Sequence, residues 1–489
     1  MIDLELIRAQ YEADEERTRQ LNIITAREYY DGDQRAKLTK RQEEFLGFNL
    51  KDERFAVNFC ATVVDATTER MIVAGFESAD EALSEFAWDV WKQNRMDAKQ
   101  QEVHHATIND GEYFIMVDWP EGAPFPRLLP HPRYTDPELG GTGFGCKAHY
   151  VDDDQHQPLE AVSKRWVETY TDERGKRRTR SRMTLYYPDR IERYVSGTGG
   201  PYKDAGWQPF IETEVQTDAE GNETEIALPW PIPWTDAGGQ PLGIPFAHFR
   251  KPGRLELWDA IPLQDLINKT ALDIIATADA CGFPIRLTYG WLATMDGKAP
   301  DSDGDNYLSI FPGAWIGTSN TDARTEVLPP ADLMPLVETF NNHITTLAQV
   351  TDTPTSRFQL TRQVAAEGTL KQQEGPLLAK VRAYATQIGN AWEDVFYVCR
   401  SLGRLRGVTL AEDATLETTW EPFETRDEKQ EMEKLEIKSR MGVPREQLWR
   451  EMGYDADQIA EMQAMAADEL QQQSNVGGEL LRSFERGVV

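Results

Sequence analysis

Cysteine is scarce: Cys60, Cys146, Cys281 and Cys399 are the only four among 489 residues. They lie far apart in apolar surroundings with no CxxC or Cys/His spacing, which excludes a zinc motif of that kind and a secreted disulfide framework. The expectation is four reduced, mostly buried thiols in a cytosolic setting. Long apolar runs are missing too. No stretch of 18 apolar residues occurs, so no membrane partner or span is expected. The opening segment, Met1 to Gln20, reads as a charged amphipathic helix and not as a signal peptide. Positive charge is in short supply, with 52 Lys and Arg against 82 Asp and Glu, a net charge of −30. That excludes a non-specific nucleic-acid binder, which uses cations to displace counterions from phosphate. It is compatible with an acidic wall past which DNA slides without sticking.

The sequence also lacks the constellations that carry chemistry. There is no GxxxxGK[ST] phosphate loop, no GxGxxG after a strand, no GxSxG elbow and no HExxH helix. Glycines at Gly140, Gly141, Gly143 and Gly145 read as a loop. His104 and His105 are adjacent, so they diverge on any regular element and serve structure rather than a metal. The run from Asp301 to Asn306 resembles a calcium loop, but its glycine sits at the fourth position where the sixth is needed, and no Glu stands at the twelfth. An acidic hairpin tip is the better reading. The basic run Lys176-Arg-Arg-Thr-Arg-Ser-Arg182 reads as a solvated β-hairpin whose arginines pair with nearby carboxylates. Contact with nucleic acid or an acidic partner is the alternative. Thirteen tryptophans and many carboxylates hint at a sugar-cleaving cleft, but no carboxylate pair can be set face to face from sequence. No enzyme, cofactor or metal is expected.

What is present is an ordered globular chain, 40% hydrophobic and 10% aromatic, long enough for two to four domains. Helices are expected over Leu4 to Tyr30, Asn58 to Arg70 and Ser78 to Arg95, the last anchored by Phe86, Trp88 and Trp91. A strand signal then covers His104 to Asp118, with a turn at Asn109–Gly111 before Tyr113. From about 121 to 250 the chain is β-rich, with short runs such as Lys147 to Val151, Arg165 to Tyr170, Met183 to Tyr187 and Ile191 to Val195. With hairpin tips at Asp172–Gly175 and Asp218–Asn222, it reads as an antiparallel meander on a helical base. The fold class is α+β.

From Leu257 to Cys399 the order is helix, β insertion, helix, Thr/Pro loop, long helix. The first helix (Leu257 to Cys281) carries Leu263, Leu266, Ile267, Ala271, Ile274, Ile275 and Ala278 at helical spacing. The second (Asp332 to Val350) carries Leu333, Leu336, Val337, Phe340, Ile344 and Leu347. Two such helices around a strand-rich insertion are too thin to make their own core, and copies of the same chain are the simplest neighbours. The insertion has strand signals at Ile285–Tyr289 and Tyr307–Phe311. The following loop, Thr351 to Gln363, holds Thr355, Ser356, Arg357 and Arg362 in an otherwise acidic chain. The long helix aligns Leu377, Val381, Tyr384, Ile388, Trp392, Val395 and Cys399. Gly375-Pro376 lies inside it and should kink or delimit it. Thr415 to Phe423 reads as a returning strand, and 426–473 as acidic helices.

Three sequence pieces carry a family resemblance. The first is Glu28-Tyr-Tyr-Asp-Gly32 followed by Val57-Asn-Phe-Cys-Ala-Thr-Val-Val-Asp-Ala66 and Met71-Ile-Val-Ala-Gly-Phe76. The second is Gly368-Thr-Leu-Lys-Gln-Gln-Glu-Gly-Pro-Leu-Leu-Ala-Lys380 leading to Asn390-Ala-Trp-Glu-Asp-Val395. The third is Val443-Pro-Arg-Glu-Gln-Leu-Trp-Arg-Glu-Met-Gly-Tyr454. In this order they resemble the portal proteins of tailed double-stranded DNA bacteriophages, of the siphovirus type. The resemblance implies a portal fold with a wing over 1–256, stem helices over 257–281 and 331–350, and a clip over 282–330. It further implies a tunnel loop over 351–365, a long wing helix and returning strand over 366–425, and a helical crown with a tail over 426–489. It implies a ring of twelve copies at one capsid vertex, set in the major capsid protein shell, assembled in the host cytoplasm and retained in the virion. Double-stranded DNA would pass through its channel during packaging and ejection, and the terminase large subunit and a head-to-tail connector or adaptor would dock on it. Arg357, Arg362, Thr355 and Ser356 become candidates for meeting DNA. Leu263, Ile267, Ile274, Leu336, Phe340 and Ile344 become candidates for subunit contacts. An acidic intracellular hydrolase and another phage head or adaptor protein are the competing readings.

Overall fold

The computed structural model describes residues 14–34, 56–135, 145–151, 157–172, 174–196, 207–217, 223–282, 286–289, 322, 324–327, 332–358, 367–408, 410–424, 435–452, 458–459, 462–463 and 465. The chain divides into two units, residues 1–423 and 424–489.

The first unit begins with helices α1 (Asp14–Asp31) and α2 (Cys60–Thr68), strand β1 (Val73–Ser78), and helices α3 (Glu81–Gln93) and α4 (Met96–Asp110). Helix α3 starts where the Asp80 carboxylate accepts the Ala82 backbone N–H at 3.2 Å, satisfying an otherwise orphaned donor. It buries Leu83, Ala87, Val90 and Trp91, the spacing of one helical face. Residues 104–108, expected within a strand signal, and Asn109 and Asp110, expected in the turn before Tyr113, belong to α4. Its buried face mixes polar groups (Gln100, His104, Thr107) with Val103 and Ile108, which hides the helical period. Gly111 ends it at φ +86°, a conformation glycine adopts without strain, and a side chain there would strike Leu255.

Every strand pairing among the described residues is antiparallel. Strands β2 (Glu112–Asp118) and β3 (Arg127–Pro132) pair, and β2 also pairs with β12, introduced below. Next come β4 (Cys146–Tyr150), β5 (Leu159–Thr171), β6 (Arg177–Tyr186) and β7 (Arg190–Ser196), in which β4 pairs with β5, β5 with β6 and β6 with β7, as the meander reading requires. Short strands β8 (Gln208–Pro209) and β11 (Ile232–Pro233) edge β7, while β9 (Thr213–Thr217) and β10 (Glu223–Ala227) form a separate hairpin. The arginines of the basic run lie on β6, and three of the four pair with carboxylates. Arg178 meets Asp172 at 2.7 Å, Arg180 meets Glu168 at 2.6 Å, and Arg182 meets Glu168 at 3.3 Å. The Arg182 guanidinium also sits 3.4 Å from the centre of the Phe210 ring.

Strand β12 (Phe246–Arg250) leads into α5 (Ala260–Gly282). Strands β13 (Arg286–Tyr289) and β14 (Arg324–Val327) pair with each other, and α6 (Met334–Val350) follows. The insertion residues 307–311 and the acidic loop 301–306 lie outside the described residues. Helix α7 (Glu367–Gly403) runs 37 residues, about 55 Å at the usual rise. Pro376 lies inside it without ending it, so of the two expected effects, a kink or a boundary, the boundary is absent. Strand β15 (Leu416–Trp420) returns along β1. It packs along α7 at Gly389, whose carbonyl accepts the Thr418 hydroxyl at 3.1 Å.

The core gathers on α7. Leu377, Val381, Ile388, Trp392, Val395 and Cys399 are fully buried. Trp91 and Phe249 both meet the Trp392 ring edge-on at 4.8 Å. Burial pushes the thiols of Cys60 and Cys146 up to about 12, so both stay protonated and unreactive. The second unit contains a helical segment over 435–440, a turn with Gly442 at φ +88°, and α8 (Arg445–Glu451), which starts after Pro444.

Candidate functional site

Helices α5 and α6 pack against each other, and the turn after α6 brings the chain back to α7. Two polar side chains seat α5 on the body. The Gln264 carbonyl accepts the Phe59 backbone N–H, and the Asn268 carbonyl accepts that of Val57, each at 2.9 Å. Gln264 also donates to the Val57 carbonyl and, at 3.0 Å, to Asn268. Both are buried, so each bond replaces one that water would otherwise supply. Neither residue stands out in the sequence; only their i, i+4 spacing on the apolar face hints at a role.

Two of the sequence pieces that carry the family resemblance come together here in space. Asn58 donates to the Tyr30 carbonyl at 2.7 Å, and the Tyr30 hydroxyl donates to Asp65 at 2.9 Å. The Tyr29 hydroxyl donates to Asp265 on α5 at 2.5 Å. Arg70 reaches Glu374 on α7 at 2.9 Å.

The turn itself is braced from below. Thr351 donates to the Leu347 carbonyl at 2.8 Å and meets the Thr353 hydroxyl at 3.1 Å. Asp352 between them takes φ +52°, which Asp tolerates better than most residues. Lys380 of α7 donates to the Thr351 carbonyl at 2.7 Å and, also at 2.7 Å, to Glu256. Glu256 accepts the Tyr384 hydroxyl at 2.9 Å and pairs with Lys251 at 3.3 Å. Burial alone would raise its pKa, but Lys380 and Lys251 more than offset this and hold it below the usual carboxylate range. One buried carboxylate therefore joins the lead-in to α5, the exit of α6 and the side of α7.

Thr355, Ser356 and Arg357 form a single 3₁₀ turn beyond this brace. Ser356 and Arg357 are exposed, and Arg357 pairs with Glu69 at 3.1 Å. Phe358 meets Phe59 edge-on at 5.6 Å and closes the turn. Arg362 lies outside the described residues. Among the helix candidates, Ile267 and Ile344 are buried within the chain's own core, while Leu263, Ile274, Leu336 and Phe340 are half-buried. The large apolar side chains that α5 and α6 leave exposed are Leu266, Ile275, Met334 and Val350. No described helix is long and apolar enough to cross a membrane.

The site is thus a braced helix pair on a mixed α/β body, with the following turn held by one buried hub. The family profile described as "Phage portal protein, SPP1 Gp6-like" matches residues 9–474, and the chain belongs to that family of phage structural proteins. No curated protein matches it. A solved structure titled "Virion of native gene transfer agent (GTA) particle" is similar at 11% identity with a TM-score of 0.36, covering 78% of this chain and 85% of that one. Membership rests on the sequence profile alone.

Proposed function

We propose that this portal protein works as a ring of twelve copies at one capsid vertex. The ring is the channel through which double-stranded DNA enters during packaging and leaves at ejection. In this reading α5 and α6 are the stem, 282–330 the clip, 351–365 the tunnel loop and 426–489 the crown. The terminase large subunit and later the head-to-tail connector dock on the ring, the major capsid protein surrounds it, and assembly takes place in the host cytoplasm. The supporting observation is the family match over nearly the whole chain, joined to a helix pair that keeps apolar side chains exposed in a single copy. The motor chemistry belongs to terminase, and this chain contributes geometry and an acidic wall.

Native mass measurement of the purified chain tests the ring. A closed assembly of about twelve 55.6 kDa subunits is expected; a monomer at all concentrations and salts overturns it. The loop assignment has its own test. Replacing Arg357 and Arg362 by Glu should spare assembly, because the Arg357–Glu69 pair is exposed and worth at most about 1 kcal/mol. Packaged or retained DNA should fall. Normal phage yield from that double variant removes the tunnel loop from the mechanism.

A further inference from the structure

One feature of the surface runs against the chain's net charge of −30. A cleft of about 840 Å³ opens between α1, the end of α4 and the loop that joins β12 to α5. Its walls carry Arg19, Arg250, Lys251 and Arg254, against a single carboxylate, Glu112. Glu112 is already engaged, by Arg133 at 3.1 Å, Arg19 at 2.6 Å and His248 at 3.0 Å. Lys251 is engaged by Glu256. Arg254 is exposed, makes no ion pair among the described residues, and lies 5.7 Å from the ring of Trp258, itself 44% exposed. An open arginine beside an open tryptophan at the mouth of a cationic cleft is the composition of a protein-binding hot spot.

The complementary surface lies on the same chain. Glu77, Glu81, Glu85 and Asp89 are exposed, spaced four apart from the end of β1 along α3, and without an ion pair among the described residues. Like charges at i, i+4 destabilise a helix slightly. Glu77 also stands directly opposite Glu417 in the β1–β15 ladder, a second like-charge juxtaposition. Among the described residues no ion pair neutralises this stripe.

We infer that the cleft at Arg254 and Trp258 receives the α3 acidic stripe of a second copy of this chain. Such a contact is heterologous, one surface of a copy meeting a different surface of the next, which is the interface type that closes into rings. The inference rests on the ring reading above and names a pair of surfaces that reading leaves open.

Charge exchange tests it. R254E and E85K each reverse one side; both positions are exposed, so melting followed by circular dichroism should match the parent. Each single reversal should raise the concentration needed for half-assembly about tenfold, as for a lost interfacial charge pair. The double variant R254E/E85K restores an opposite-charge pair across every interface and should recover most of that loss. If the parent assembles and both single variants assemble equally well, the cleft is not an interface, while the ring reading stands. Weakened single variants without recovery in the double variant mean that cleft and stripe do not face one another, and the inference falls. Unchanged assembly of R254E with weaker retention of duplex DNA assigns the cleft to phosphate instead. A parent that never assembles overturns the ring reading and this inference together.

Discussion

His104 sits with no exposure at the centre of the first unit. Trp392 Nε1–H donates to its Nε2 at 3.0 Å, so Nδ1 carries the proton and donates to the Met71 carbonyl, also at 3.0 Å. The ring is therefore neutral. Burial drives its pKa down to about 4, a shift the Met71 bond only partly resists. The unfolded chain binds a proton near the ordinary value of 6.5 and the fold does not until about 4, so stability falls as pH drops through that window. At about 1.4 kcal/mol per pKa unit, His104 alone accounts for roughly 3 kcal/mol. His131 and His149, pushed by burial to about 4 and about 3, act in the same direction. Urea midpoints measured from pH 7 to pH 4 should fall steadily, and H104Q should flatten part of the slope; an unchanged slope rules His104 out as a contributor. Glu256 is the opposite kind of residue, buried and charged. E256Q leaves Lys251 and Lys380 without their carboxylate and should cost about 3–5 kcal/mol in urea unfolding. Because its folded pKa is depressed, that contribution is present above the ordinary carboxylate value and is lost as pH falls below it.

At the scale of elements, α7 keeps a proline in its interior. Pro376 has no N–H to offer the carbonyl of Gln372, so the helix ladder lacks that bond. P376A should therefore raise stability by up to about 3 kcal/mol, read as a higher denaturant midpoint at unchanged slope. No change means the surrounding packing already absorbs the break. The helix was legible in the sequence because its buried face follows a strict period from Leu377 to Cys399, and so were the meander and the pairing of the basic run on β6. The C-terminal half of α4 was not legible, because Gln100, His104 and Thr107 face inward and mimic a polar stripe. The brace at Glu256 was not legible either. Its partners Lys380 and Tyr384 lie 124 and 128 residues away, and no local pattern records a contact made by folding. The turn at Thr355–Arg357 was placed by its lack of apolar period, whereas the Arg357–Glu69 pair depends on where α2 ends.

For the whole molecule, charge acts at two ranges with opposite signs. Copies carrying −30 each repel one another over the Debye length, about 30 Å at 0.01 M salt and about 10 Å at 0.1 M. Low salt therefore opposes assembly across the full face of a subunit. An interfacial contact between the Arg254 cleft and the α3 stripe acts within a few ångströms and survives moderate screening, but it weakens near 1 M, where the length is about 3 Å. Apolar contacts through Leu266, Ile275, Met334 and Val350 lose nothing to salt. The assembled fraction at fixed protein concentration should then rise between about 0.01 M and 0.15 M and decline again toward 1 M. R254E should keep the rise, since net repulsion remains, and lose the decline, since the short-range attraction is gone. Sedimentation velocity across that salt series separates the two effects. A parent whose assembly grows monotonically to 1 M is held by apolar contact alone, and the cationic cleft then plays no part in holding copies together.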